Sequence, residues 1–281
     1  MKKIFFFLLV LQTIFSCNKK SHQNNEDLSY SNIDTFLVFS DVMSKSIENI
    51  VIKPSNYENI DNLPVIYLLH GAGGNHTDWI SHVPSLTTFS SDNEIIIVCP
   101  NGGFNSWYFD SPIDSNYMYE TYIVDELISS IDLMYSTSTS KFSRAITGNS
   151  MGGHGAFYLA IRNQDSFGAA GSMSGGLDIR PFSENWNISD RIGSIDLYPN
   201  NWEEHTVINM VNLVDSTNLK LIFDCGNNDF FLDVNNNFRQ ELVNLNIPHQ
   251  YNIFEGSHDW IYWNEVVFYQ LSFFKEYFSL N

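Results

Sequence analysis

The stretch Gly-Asn-Ser-Met-Gly at residues 148–152 decides the fold, because it lies between a strand-like run at residues 142–147 and a helix-like run at residues 153–161. A strand, a tight glycine turn and a helix form the context in which G-x-S-x-G indicates a nucleophile held above a sheet edge. The flanking glycines are needed because a Cβ at either position would collide with the neighbouring strand or helix. We therefore predict that Ser150 is a nucleophile rather than one serine in an ordinary glycine-rich turn.

The composition of the chain indicates a globular α/β protein with a substantial core. It has 281 residues, of which 43% are hydrophobic and 15% aromatic, enough for one large domain or two small ones. Its 14 basic and 32 acidic residues give a net charge of −18. A phosphate backbone requires a basic surface, so we expect no nucleic acid as a partner.

The N-terminus has the pattern of a targeting segment. Two lysines precede an apolar run at residues 4–15 that is too short to span a bilayer as a mature helix. The run ends in a lipobox-like Ile-Phe-Ser-Cys, with Phe15 in place of the usual small residue. We predict a lipoprotein-type signal segment at residues 1–17 with lipidation of Cys17, and a flexible tether at residues 18–33. The protein would then be exported and would meet the membrane only through this anchor, with ordinary signal cleavage as the alternative.

Residues 34–281 predict a single α/β domain. Apolar strand-length runs alternate with helix-like segments, which indicates a mostly parallel sheet with helices on both faces and two antiparallel strands at its N-terminal edge. The irregular stretch at residues 177–218 is too long for a plain connection, so we predict a lid-like insertion or a pocket wall. The predicted strands cover residues 35–39, 47–52, 65–69, 95–99, 144–147, 169–173, 219–224 and 250–254, and the predicted helices 122–133, 153–162, 235–245 and 263–278.

A serine nucleophile needs a base and an acid that orients the base, and in this arrangement the acid precedes the histidine along the chain. Asp224 still lies in a strand end, and Asp233 is placed to cap the following helix. Asp229 lies in the loop between them, beyond the carboxyl end of the strand, and we predict that it is the acid. The Asn- and Asp-rich residues 227–237 lack the spacing of a calcium loop, so we expect no metal there.

The predicted base is His258, one of eight histidines. It follows the last strand and directly precedes the final helix, where this arrangement requires the base. Its neighbour Asp259 cannot easily fold back to orient the imidazole. The others considered lie in the tether or in polar segments: His22, His76, His205 and His249.

Backbone amides are the expected oxyanion donors. Met151 directly follows the nucleophile at a helix N-terminus. The second donor should come from the glycine-rich loop at residues 70–74, with Ala72 preferred over its neighbour Gly71. His70 is then expected to shape this loop rather than to act as a base.

Together these motifs resemble the esterase D and feruloyl esterase branch of the α/β-hydrolases, over roughly residues 34–278. That branch includes tributyrin esterases, S-formylglutathione hydrolases, family 1 carbohydrate esterases and mycolyltransferases. Two positions depart from the pattern: Asn149 replaces a common apolar residue, and Ser257 replaces a frequent second glycine. The resemblance is carried by YLLHGAGG at residues 67–74, SWY at 106–108, GNSMGG at 148–153, DCGNNDF at 224–230 and GSHDW at 256–260.

The resemblance implies the same site residues that their positions along the chain predict. The nucleophile, acid and base of the family fall on Ser150, Asp229 and His258, and its oxyanion amides fall on Ala72 and Met151. The family also implies the strand order 1-2-4-3-5-6-7-8.

That strand order separates the two remaining cysteines, Cys99 and Cys225. They would lie four strands apart, roughly 19 Å at ~4.8 Å per strand. A disulfide requires Cα atoms within about 7 Å. We therefore predict two free thiols.

The function that the resemblance implies is that of a serine carboxylesterase, without metal or cofactor, acting on short-chain acyl esters or on acetyl or feruloyl groups of polysaccharides. Aromatic residues suit an acyl or sugar pocket, and we expect Trp107 and Trp260 to bind substrate, with Tyr108, Trp186 and Trp202 as further candidates. One alternative is acyl transfer to a sugar, as in mycolyltransferases. Another is a catalytically silent carbohydrate-binding surface lipoprotein, against which the complete Ser-Asp-His set argues.

Overall fold

The computed structural model describes residues 32–280. The predicted signal segment, Cys17 and nearly all of the predicted tether lie outside these residues. The first strand begins at Ile33, and the Asn32 side chain donates a hydrogen bond to the Lys53 carbonyl (3.1 Å). The last two residues of the predicted tether therefore belong to the folded domain.

The centre of the fold is an eight-stranded sheet with the order β1-β2-β4-β3-β5-β6-β7-β8. The β1–β2 and β2–β4 pairs are antiparallel and all the others are parallel. The predicted fold class and the strand order are thus confirmed, with strand ends displaced by at most two residues. The strands are β1 (Ile33–Ser40), β2 (Lys45–Ile52), β3 (Val65–Leu69), β4 (Ile96–Pro100), β5 (Arg144–Gly148), β6 (Ala169–Met173), β7 (Lys220–Gly226) and β8 (His249–Phe254).

Helices cover both faces of this sheet. A π-helical segment, Tyr122–Leu127, joins α3 to α4, and together with α4 it forms the predicted helix at residues 122–133. The α-helices are α1 (Asp78–His82), α2 (Leu86–Asn93), α3 (Tyr119–Thr121), α4 (Ile128–Met134), α5 (Met151–Arg162), α6 (Ile188–Ile192), α7 (Pro199–His205), α8 (Leu232–Asn244) and α9 (Trp260–Ser279).

The two-residue period of the central strands divides the core between the two faces. In β3, Tyr67 and Leu69 pack in one hydrophobic cluster, and Ile66 and Leu68 pack in the other. Successive side chains of a strand point to opposite faces, so a strand that is apolar throughout must be covered on both. All five residues of β3 are buried, and this continuous burial makes the carboxyl edge of the sheet a rigid platform for the loops that follow.

The stretch at residues 177–218 is folded, and it contains α6, α7 and two 3₁₀ helices, Arg180–Phe182 and Val207–Leu213. Its apolar side chains Ile188 and Trp202 are fully buried in the main cluster. We call this stretch the insertion. Its mobility as a lid stays a prediction.

The two cysteines of the described domain are free and buried, Cys99 in β4 and Cys225 in β7. The prediction of two free thiols is confirmed. Among residues 32–280, no helix combines the length and the apolar character needed to cross a membrane.

Candidate active site

Ser150 connects β5 to α5 in a strained backbone conformation, with φ +56° and ψ −118°. Residues other than glycine avoid this region, so the surrounding contacts must hold it. The Ser150 N–H donates to the Met173 carbonyl (2.9 Å), and the Ser150 carbonyl accepts from the His154 N–H (3.0 Å). These two bonds join the turn to β6 and to the first turn of α5.

The two glycines of the motif allow the turn to approach β3 closely. A Cβ on Gly148 would lie 2.6 Å from the Leu69 carbonyl oxygen, and one on Gly152 would lie 2.5 Å from the same atom. Both contacts are with backbone, which cannot rotate away. The predicted steric reason for the glycine spacing is confirmed.

The structure brings Ser150, His258 and Asp229 into one hydrogen-bonded row. His258 Nε2 lies 2.8 Å from Ser150 Oγ, and His258 Nδ1 lies 3.0 Å and 2.9 Å from the two oxygens of Asp229. The Asp229 side chain is fully buried and also accepts a hydrogen bond from the Phe231 N–H (2.8 Å). A buried carboxylate at this place can fix the imidazole with its proton on Nδ1, which leaves Nε2 free to accept the serine proton.

The other two aspartates considered for the acid point elsewhere. Asp224 is buried against α9, where it accepts hydrogen bonds from the Tyr262 hydroxyl (2.8 Å) and from Gln270 Nε2 (2.6 Å). Asp233 lies in the first turn of α8, but Phe231 occupies the N-cap position, so the expectation that Asp233 caps this helix is wrong.

Burial raises the pKa of Asp224 to about 7; the hydrogen bonds from Gln270 and Tyr262 oppose this shift, and the charge of Asp229 adds to it. In the unfolded chain the carboxyl titrates near 3.9. Its protonated form thus contributes stability that is fully present below about pH 4 and is lost as the pH rises through about 7. Between pH 4 and 7.5 we expect the wild type to lose on the order of 2–4 kcal/mol more unfolding free energy than Asp224→Asn, measured by urea denaturation. Parallel pH dependences of the two proteins would contradict this assignment.

His70 shapes the loop that follows β3, as predicted from the sequence. Its Nδ1 lies 2.8 Å from the Gly71 carbonyl, and its Nε2 accepts a hydrogen bond from the Gly102 N–H (2.9 Å). Burial lowers the pKa of His70, which favours the neutral ring that this pair of bonds requires. With both ring nitrogens engaged, the side chain joins the loop after β3 to the loop after β4.

The two predicted oxyanion residues are both near the serine, Met151 as its neighbour in the chain and Ala72 in the lining of the same cavity. Met151 is the first residue of α5, and an amide at this position has no intrahelical acceptor. Ala72 lines the same cavity as Ser150, as does its neighbour Gly71. The Gly74 N–H donates to the Gly71 carbonyl (3.2 Å), which closes a tight turn around Ala72.

A cavity of about 280 Å³ is lined in part by Ser150. Trp260 lines it, as predicted from the sequence. Trp107 does not line it, contrary to expectation: its ring is 1% exposed and its Nε1 donates to the Trp186 carbonyl (3.2 Å). The residues around the cavity are Gly71, Ala72, Asp78, Asn149, Ser150, Trp186, Phe230, His258, Trp260 and Trp263.

Three aromatic residues that were not predicted as site residues surround the imidazole: Phe230, Phe231 and Trp263. The Phe230 ring lies 4.2 Å from the His258 ring, and the Trp263 ring lies 5.0 Å from it in an edge-on orientation. Phe230 directly follows Asp229, and Trp263 is one helical turn after Trp260, so both positions carried a signal in the sequence. These apolar rings pack against the imidazole that links Ser150 to Asp229.

The fold and the serine at its strand-to-helix turn define an α/β-hydrolase. A family model described as "Putative esterase" matches residues 40–274, and the chain belongs to this family of carboxylesterases. The fold and its relatives place it in the esterase D and feruloyl esterase branch that the sequence resembles.

Similar proteins agree with this assignment. The chain is 26% identical over 219 residues to an acetyl esterase of Caldicellulosiruptor saccharolyticus, covering 74% of this chain and 81% of the relative. It is 29% identical to esterase Rv1288 of Mycobacterium tuberculosis, of which it spans only about half (51%). A solved ferulic acid esterase is similar with a TM-score of 0.75 and 29% identity, over 88% of this chain and 98% of that protein.

Proposed function

We propose that the protein is a serine carboxylesterase in which Ser150 is the nucleophile, His258 the general base and Asp229 the orienting acid. The observation that carries the proposal is the row Ser150 Oγ, His258 Nε2 and Nδ1, and Asp229, with every step between 2.8 and 3.0 Å. In the first half-reaction, His258 accepts the serine proton while Oγ attacks the ester carbonyl. The amides of Ala72 and Met151 stabilise the tetrahedral oxyanion.

The same groups complete this acylation and then carry out the second half-reaction, the hydrolysis of the acyl-enzyme. The imidazolium of His258, stabilised by the Asp229 carboxylate, returns its proton to the leaving alcohol, and an acyl-enzyme on Ser150 remains. His258 then takes a proton from water, whose oxygen attacks the acyl carbonyl. Collapse of the second tetrahedral intermediate breaks the bond to Oγ, which regains a proton from His258, and the carboxylic acid leaves.

We propose acetyl or feruloyl esters of polysaccharides as the substrates, with simple short-chain esters also accepted. The support is the cavity wall, in which Trp186, Phe230 and Trp260 present aromatic rings near Ser150, together with the acetyl esterase and ferulic acid esterase among the similar proteins. Aromatic rings can stack on a phenolic acyl group or on a sugar face. Comparing acetate and ferulate release from xylan with hydrolysis of p-nitrophenyl acetate measures this preference directly.

A fluorophosphonate probe separates the esterase from a catalytically silent binding protein. The probe reacts with an activated serine, so we expect covalent labelling at Ser150, identified by peptide mass spectrometry, and hydrolysis of p-nitrophenyl acetate by the same preparation. An intact domain that neither reacts with the probe nor releases p-nitrophenol would favour the silent scaffold instead.

We further propose that the protein is exported and anchored through a lipid on Cys17. The support is the sequence of the predicted signal segment, residues 1–17. In a bacterial host, Cys17→Ser should move the protein from the membrane fraction to the soluble exported fraction, because the acyl chains that hold it would be absent. Fractionation followed by immunoblotting measures this shift. Equal membrane association of the two proteins would remove the proposal, and Cys99→Ser in the folded domain is the control.

A further inference from the structure

The backbone at residues 105–108, which follows β4, is strained at three of its four positions. Asn105, Trp107 and Tyr108 have φ of +49°, +58° and +61°, a left-handed conformation that is a true outlier for bulky side chains. The three side chains are buried. Such strain persists only where surrounding contacts determine it, and it concentrates at functional sites. We call residues 105–108 the bridge segment.

The bridge segment contacts both sides of the predicted oxyanion site. The Gly73 N–H donates to Asn105 Oδ1 (2.8 Å), and Gly73 directly follows Ala72. On the other side, the Trp107 N–H lies 3.3 Å from Met151 Sδ. The segment is therefore bonded to the loop that carries one predicted donor and to the residue that provides the other.

The same segment is bonded to the insertion. Asn105 Nδ2 donates to Asn187 Oδ1 (2.8 Å), and Arg191 Nε donates to the Asn105 carbonyl (3.1 Å). Trp107 Nε1 donates to the carbonyl of Trp186, whose side chain lines the cavity. The Arg191 guanidinium is itself held 3.5 Å from the Tyr117 ring centre.

We propose that Asn105 is a positioning residue that fixes the glycine-rich loop at residues 70–74 to the insertion. Its carboxamide accepts from the loop with one atom and donates to the insertion with the other, so neither a purely accepting nor a purely donating side chain could replace it. The Ala72 amide, one residue from the Asn105 bond, is thereby held in its orientation toward the oxyanion. The inference rests on the proposed esterase mechanism, because it concerns stabilisation of that oxyanion.

Glycine variants remove the carboxamide and keep the backbone. Asn105→Gly deletes both carboxamide bonds and keeps the bond from Arg191 to the backbone carbonyl. Asn187→Gly deletes the bond to Asn105 and the bond from Asn187 Nδ2 to Asp190 (2.6 Å), at an exposed position with φ +57°. Glycine adopts left-handed φ without steric cost, whereas alanine would add strain of its own. Asn246→Gly is the matched control. Asn246 has φ +56° and lies between α8 and β8, where β8 begins, whereas the site lies beyond the ends of the strands.

We expect Asn105→Gly to lower kcat about 30- to 100-fold with KM changed less than about threefold, because the loss affects the transition state. An alkyl trifluoromethyl ketone forms a tetrahedral oxyanion adduct with the serine, and its inhibition constant should rise by a similar factor. Asn187→Gly should lower kcat about three- to tenfold, and the double variant should be no worse than Asn105→Gly. Asn246→Gly should match the wild type.

All rates are normalised to active sites titrated with fluorophosphonate. An Asn105→Gly enzyme with wild-type kcat and ketone affinity per titrated site would overturn the inference, as would fully additive losses in the double variant. If Asn105→Gly does not fold, Asn187→Gly decides the matter instead. A wild-type kcat and ketone affinity in that variant would also overturn the inference. None of these outcomes contradicts the proposed function. The proposed function fails instead if fluorophosphonate does not label the wild type at Ser150.

Discussion

Ser150→Ala should lower kcat for p-nitrophenyl acetate by a factor on the order of 10⁴ to 10⁶, because no acyl-enzyme can form without Oγ. Any residual rate would come from binding and from the oxyanion amides alone. The substitution removes one oxygen and leaves the left-handed backbone with a Cβ, so the thermal unfolding midpoint should change little. Initial-rate assays and differential scanning calorimetry provide the two measurements.

Ser174→Ala is the matched control for this experiment. Ser174 is also buried and left-handed, with φ +49°, and it follows the carboxyl end of β6. It takes no part in the proposed mechanism, so the variant should retain kcat within about threefold. Substantial activity in purified Ser150→Ala would show that another residue is the nucleophile.

Asp229→Asn should lower kcat about 10⁴-fold while the fold is preserved. An asparagine amide can donate to His258 Nδ1, which stabilises the tautomer with its proton on Nε2. That nitrogen lies 2.8 Å from Ser150 Oγ and could then no longer accept the serine proton. Steady-state kinetics with p-nitrophenyl acetate, normalised by absorbance and circular dichroism, measures the loss.

Asp233→Asn makes the identical chemical change four residues away. Asp233 is exposed in the first turn of α8, so this variant should match the wild type in kcat and KM. If kcat of Asp229→Asn stays within tenfold of wild type, a group other than Asp229 orients His258.

The fold could be predicted well from the sequence because its main signals are local. Each central strand is a continuous apolar run, and such runs are buried whatever surrounds them. The turn at Ser150 was likewise visible, since Gly148 and Gly152 are required by contacts with the adjacent β3 backbone. Chain order then limited the base to His258 and the acid to one loop.

The cavity wall was predicted less well, because it depends on contacts between segments that are far apart in the chain. Trp107 was expected to meet substrate, yet it is buried behind Trp186. Phe230 and Trp263 were not singled out, although both rings lie against His258. Aromatic residues suit core and pocket equally, so their type alone does not decide which way a ring faces.

The sequence by itself determined the sheet, the strained turn at Ser150 and the order of serine, acid and histidine, because these depend on hydrophobic period and on steric exclusion between chain neighbours. Asp229 could be chosen from the sequence as the partner of His258, but only the tertiary structure decided which aromatic rings enclose the cavity and how Asn105 joins two loops. The two carboxamide bonds of Asn105 span 32 and 82 residues of sequence separation. Bonds of that reach form only once the core has packed and placed the loops side by side.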